Sequence, residues 1–81
     1  MELKDTIDLM ISDDYKARFK AEYYQTKIRY DKLHKIIIKY EAGKLGFEPS
    51  TLLEILKNQA SYMGNYLRCL EIRAEIEYIE L

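Results

Sequence analysis

The stretch "LKNQASYMGNYLRCLEIR" (Leu56–Arg73) decides the fold. Leu56, Ala60, Met63, Leu67 and Leu70 recur at alternating steps of four and three, the spacing of one helix face packed along another. A second stripe runs through the same residues: Gln59, Tyr62, Tyr66, Cys69 and Arg73. Gly64 sits mid-helix, where it costs about 1 kcal/mol relative to Ala. A helix this apolar on two sides asks for two partners.

Working outward, the first stripe begins at Leu53 and continues through Ala74 to Tyr78. An upstream segment carries a matching stripe at Phe19, Tyr23, Thr26, Tyr30, Leu33, Ile37 and Tyr40. Folded as an antiparallel hairpin, the two stripes satisfy a single register. Tyr40 meets Leu53, Ile37 meets Leu56, Leu33 meets Ala60 and Tyr30 meets Met63. Thr26 then meets Leu67, Tyr23 meets Leu70, Phe19 meets Ala74 and Tyr15 meets Tyr78. Large residues often face small ones, as interdigitating layers should. The hairpin would be on the order of 40 Å long.

Between these helices "AGKLGFEPST" holds Gly43, Gly46 and Pro49, the strongest loop signal in the chain. Gly43 suits the residue just past a helix end. Thr51 and Glu54 have capping-box spacing, and Ser12 before Asp13 and Asp14 suits a helix start. The spacing predicts three helices, at about 2–11, 13–42 and 51–79, in one all-α domain spanning residues 1–81. The short first helix is expected to cover the end near Ile72, Ile76 and Ile79, leaving the second stripe for another copy of the chain. Gln25 is expected opposite Arg68, and Gly64 opposite Arg29.

Composition narrows the function. Thirteen Lys and Arg against 14 Asp and Glu leave a net charge of −1, which argues against a nucleic-acid binder. No apolar run reaches the roughly 18 residues of a membrane span. "MELKDTIDLM" lacks a signal peptide's basic start and long apolar core. Cys69 is the only cysteine, so no intrachain disulfide can form; Cys69 reads as a small interface or core residue. His34 is also single, which rules out a Cys/His zinc cluster. No nucleophile–base set, Gly-rich phosphate loop or paired metal carboxylates can be read. The expectation is a cytoplasmic, non-enzymatic protein without a cofactor. A chain this short relies on oligomerisation when disulfides and metals are absent.

A polar set remains within the aromatic surface: Arg29, Gln59, Tyr62, Tyr66, Arg68 and Arg73. Arginine forks suit phosphates, tyrosine rings stack on bases or ribose, and an amide reads a polar edge. The same residue types also serve plain oligomer interfaces. The residues alone leave both readings open.

Two segments, "AEYYQTKIRYDKLHKIIIKYE" and "LLEILKNQASYMGNYLRCLEIR", carry a further pattern. Glu22, Gln25, Lys27, Arg29, Lys32 and Leu33 form one half; Leu56, Gln59, Met63, Tyr66, Leu67, Leu70 and Arg73 form the other, with Ile55 where the pattern has Leu. This resembles very small helical-hairpin proteins of tailed phages and mobile elements. Some of those are counter-defence sponges, which oligomerise and trap nucleotide-derived signals of bacterial immunity. The resemblance implies a homo-oligomer in the bacterial host's cytoplasm that sequesters a cyclic nucleotide or ADP-ribose-type ligand without turnover. Arg29, Arg68 and Arg73 would hold phosphates, Tyr62 and Tyr66 would stack, and Gln59 would read an edge. The alternatives are a protein–protein inhibitor or adaptor docking through the Tyr/Ile stripe, or a small structural phage component.

Overall fold

The computed structural model describes residues 1–81, which are helical with no strand. A 3₁₀ turn, Leu3–Thr6, leads into α1, Ile7–Met10; α2 spans Tyr15–Glu41 and α3 spans Leu53–Glu77. Contacts along α2 and α3 follow in opposite order: Tyr15 with Glu77, Tyr23 with Glu71, Tyr30 with Gly64 and Glu41 with Lys57. The two long helices therefore lie side by side and run in opposite directions. The molecule is elongated, with its longest extent 43 Å and a radius of gyration of 14.9 Å. A compact chain of this length would have a radius near 12 Å, by a rough scaling.

The core sits toward one end of the pair. Phe19 and Tyr23 from α2 pack with Leu67, Leu70 and Ala74 from α3, and Ile79 closes the cluster. Tyr24 and Tyr30 lean against it. Burying each of the large side chains contributes about 1.5–3 kcal/mol. Toward the loop the seam thins: Ile37 is buried, but Leu33, Leu53 and Leu56 are only half-buried. Gly64 faces Tyr30 at mid-seam, where a Cβ would lie 3.4 Å from the Tyr30 ring edge, at the near limit of ordinary contact. Its neighbour across the seam is Tyr30 rather than Arg29.

Helix ends show where local chemistry departs from the expected boundaries. Asp14, not Ser12, caps α2 by accepting from the Lys16 N–H at 3.1 Å. The Ser12 hydroxyl instead accepts from the Asp14 N–H. At the other end of α2, Gly43 takes φ +71°; its N–H donates to the Tyr40 carbonyl, and Lys44 donates to Lys39. This is the paired C-terminal bonding in which glycine is favoured. The Thr51–Glu54 capping box does not form: α3 begins at Leu53 behind an extended Leu52, with no side-chain cap.

α3 stops short of Ile79 because Tyr78 turns left-handed, φ 57°, ψ 45°. That conformation costs a non-glycine residue roughly 1 kcal/mol. The turn lets the Ile79 N–H donate to the Ala74 carbonyl at 2.9 Å and puts Ile79 into the core. It also throws Tyr78 outward, 88% exposed, so Tyr15 bonds to Glu77 and not against Tyr78.

The N-terminal segment packs on α2, not on the end of α3. Thr6 is fully buried, and its hydroxyl donates to the Leu3 carbonyl at 2.7 Å and accepts from the Gln25 amide at 2.9 Å. Gln25 is therefore tied to the N-terminal segment and does not meet Arg68. Ala21, one turn before Gln25 on α2, is buried as well. Ile72 and Ile76, which this segment was expected to cover, stay in solvent, at 45% and 70% exposure.

Candidate functional site

Of the six residues singled out above, four share one exposed side of α3. Gln59, Tyr62, Tyr66 and Arg73 follow one another at helical spacing, with Ile55, Cys69 and Ile76 in the same band. Tyr62 is 72% exposed and Tyr66 44%. Cys69 is exposed, not buried in a core. Arg68 lies on the opposite flank of α3 and is not brought together with these four. Arg29 is exposed on α2.

Arg73 is the one member already held in place. Its Nη2 donates to the Tyr15 hydroxyl at 2.8 Å, and its Nε donates to Glu77 Oε2 at 3.4 Å. The Tyr15 hydroxyl in turn donates to Glu77 Oε1 at 2.9 Å. The guanidinium also lies over the Phe19 ring, 5.0 Å from its centre, a favourable cation–π placement. Partial desolvation works to lower the Arg73 pKa, but the Tyr15 oxygen and the Glu77 carboxylate outweigh it and raise it. The side chain is cationic throughout. Nη1 makes no hydrogen bond within the chain, so one edge of a pre-positioned fork remains free for a phosphate or carbonyl oxygen. The Arg73–Glu77 step is visible in the sequence as a helical i,i+4 pair. The third member, Tyr15, comes from the far end of the chain and carried no such signal.

The stripe is a convex helix side, not a cavity. A groove of about 1110 Å³ lies on the other flank, lined by Lys16, Lys20, Tyr23, Glu71 and Glu75 and closed by Tyr78–Leu81. It takes two lysines from α2 and two carboxylates from α3, so an anion entering it meets both signs. There the Tyr23 hydroxyl donates to Glu71 at 2.7 Å. Burial, then the bond to the Glu71 carboxylate, pushes the Tyr23 phenol up to about 12. A smaller groove lies between Met1–Lys4 and Ile28 and Lys32. Neither contains any of the six residues. His34, read as a solvated surface residue, is exposed and stacks on Tyr30 with ring centres 5.8 Å apart.

The α2–α3 pair coincides with a recognisable family. The profile of the Sequestin family matches residues 13–76, which take in all of α2 and all but the last residue of α3. The chain belongs to the Sequestin family. The matched region includes all six residues considered above and leaves α1 outside. No curated protein and no solved structure matches the chain. The family's name speaks of sequestering, which describes binding and retention. No helix of the chain is long and apolar enough to cross a membrane.

Proposed function

We propose that this Sequestin-family protein sequesters a nucleotide-derived signal of bacterial immunity without chemical turnover, acting as a counter-defence protein of a phage or mobile element. It does so as an oligomer whose α2–α3 hairpins assemble into a bundle in the cytoplasm of the host. The observation that carries this reading is the band Gln59, Tyr62, Tyr66 and Arg73, left in solvent on α3 inside the family-matched region. It offers two rings for stacking, an amide for a base or ribose edge, and a positioned cation for a phosphate. Arg29 and Arg68 would supply further positive charge from α2 and from the far flank of α3. Retention, not reaction, fits both the family name and a site whose only tightly held polar group is a guanidinium.

The test is native mass spectrometry of the purified protein, alone and with a panel of cyclic di- and trinucleotides and ADP-ribose derivatives. A discrete oligomer gaining whole, unmodified ligands at fixed stoichiometry is expected. Tyr66→Ala and Arg73→Ala should each lose that mass shift. Indifference to the whole panel would abandon the signal-binding reading in favour of a protein-docking role for the Tyr/Ile surface.

A further inference from the structure

We infer that the exposed band of α3 packs against the same band of a second copy, antiparallel about a two-fold axis at Tyr66, so that Arg73 of one protomer meets Gln59 and Tyr62 of the other. The composite site this creates rests on the ligand reading above; the pairing itself does not.

Three observations point to a second copy as the occupant. First, the chain exposes 6123 Å², whereas a compact protein of its 9.7 kDa exposes about 5,100 Å². The excess of roughly 1,000 Å² is what one partner gives up in a standard stable interface, about 800 Å². Second, only nine of 81 residues are buried, so the chain alone has little core to hold it. Third, the band is self-complementary when reversed. Running it antiparallel through Tyr66 sets Ile55 against the partner's Ile76, Gln59 against the partner's Arg73, and Tyr62 against the partner's Cys69. Apolar residues meet at both ends, an amide lies beside the Arg73 fork with Nη1 still open to a ligand, and a large ring meets a small thiol. An isologous contact of this kind closes as a dimer and leaves no free copy of the surface. It also turns a convex side into clefts at the helix–helix boundary, the concavity that a small ligand needs.

Disulfide trapping without nucleotide tests the geometry. In Cys69→Ser with Tyr66→Cys, the two thiols face each other across the axis, and mild oxidation should give a covalent dimer. Tyr62→Cys with native Cys69 should also cross-link. Native Cys69 alone should not, since its partner copy lies about two turns away, roughly 10 Å, beyond disulfide reach. Efficient cross-linking through Cys69 alone, or none in either variant, overturns the pairing. As a second readout, Tyr66→Glu sets two carboxylates together at the axis and should give a helical monomer by light scattering at concentrations where the parent is dimeric. A parent that is monomeric at about 100 µM overturns it too. Cyclic di-AMP and ADP-ribose then probe the composite site. A chain carrying Gln59→Ala and Tyr62→Ala, mixed with one carrying Arg73→Ala, should recover one site per heterodimer, although neither homodimer binds. Trapping without any nucleotide binding sinks the ligand reading and keeps the dimer; binding by the parent without recovery in the mixture sinks the composite site alone.

Discussion

Tyr23 gives a pH-resolved measure of how α2 and α3 are held together. Its hydroxyl donates to Glu71 at 2.7 Å from a ring that is only 8% exposed. Burial first, and the Glu71 carboxylate second, raise its pKa to about 12, against an ordinary tyrosine value near 10. A raised phenol means that the folded chain keeps a proton which the unfolded chain has already lost between those values. Stability from this group is therefore fully present below pH 10 and is lost as pH rises toward 12. A two-unit shift would correspond to at most about 2.7 kcal/mol. Glu71 is exposed, so solvent screens the carboxylate's share of that shift, and losing the one hydrogen bond is expected to cost about 1 kcal/mol. The perturbation is Tyr23→Phe, which keeps the ring and removes the proton. At pH 8 the variant should melt about 4–8 °C below the parent at equal protein concentration, the shift for roughly 1 kcal/mol in a domain this small. Between pH 10 and 12 the parent should lose this advantage and the two melting curves should converge. The two proteins differ only in the Tyr23 hydroxyl, so the difference between their melting curves isolates it. A gap that stays constant to pH 12, or a variant as stable as the parent at pH 8, would refute the assigned bond and its direction.

Six further substitutions test other contacts of the fold. Tyr78→Gly should raise the melting temperature by the equivalent of about 1 kcal/mol, because it relieves a left-handed tyrosine whose ring packs on little; Ile79→Ala in the same turn should cost about 2–4 kcal/mol. Gly64→Ala should gain up to about 1 kcal/mol in helix propensity if the Tyr30 ring yields by a few tenths of an ångström, whereas Gly64→Leu should force the helices apart and lower helicity on heating. Gln25→Ala should cost about 1 kcal/mol locally, read as faster hydrogen exchange in residues 3–11 with α2 and α3 unchanged. Tyr62→Ala should leave far-UV circular dichroism unchanged while removing nucleotide retention, since its ring is largely in solvent within one chain.

Much of the helix layout could be read from period alone. Phe19, Tyr23, Leu67, Leu70 and Ala74 all lie on the stripes that a four-three spacing picks out, and all are buried. Gly43 marked the end of α2 because only a residue without a Cβ enters the left-handed region freely. The misreadings have local physical causes. Thr51 and Glu54 have the right spacing for a capping box, but Leu52 holds the cap position and Thr51 lies one residue too early. Tyr78 carries no sign of a left-handed turn; the burial of Ile79 forces it. The N-terminal segment is too short for a stripe, and what docks it is a polar contact, Thr6 with Gln25, which apolar periodicity cannot register. That Gln59, Tyr62, Tyr66 and Arg73 form one exposed band was legible because they share one helix. The placement of Arg68 on the far flank was missed by reading chemistry before geometry. Tyr15 escaped notice because it reaches Arg73 only through the fold.

These contacts bear on how a chain with so little core could retain a ligand tightly. If the site forms between two copies, ligand and partner favour the same associated state, and each stabilises the other by mass action. A ligand present at 100 times its dissociation constant then adds about 2.7 kcal/mol to the assembled form, comparable to burying one more large side chain. Arg73 would contribute with little further ordering, because Tyr15, Glu77 and Phe19 already fix it in the single chain; less side-chain entropy would then be lost on binding. Breaking that support should therefore separate affinity from assembly. Tyr15→Phe removes one hydrogen bond to Arg73, far from any stacking ring. Nucleotide affinity should fall several-fold, the effect of losing about 1 kcal/mol of pre-organisation, while the dimer's mass by light scattering stays the same. An unchanged affinity would mean that Arg73 does not meet the ligand, and the positive charge would have to be sought at Arg29.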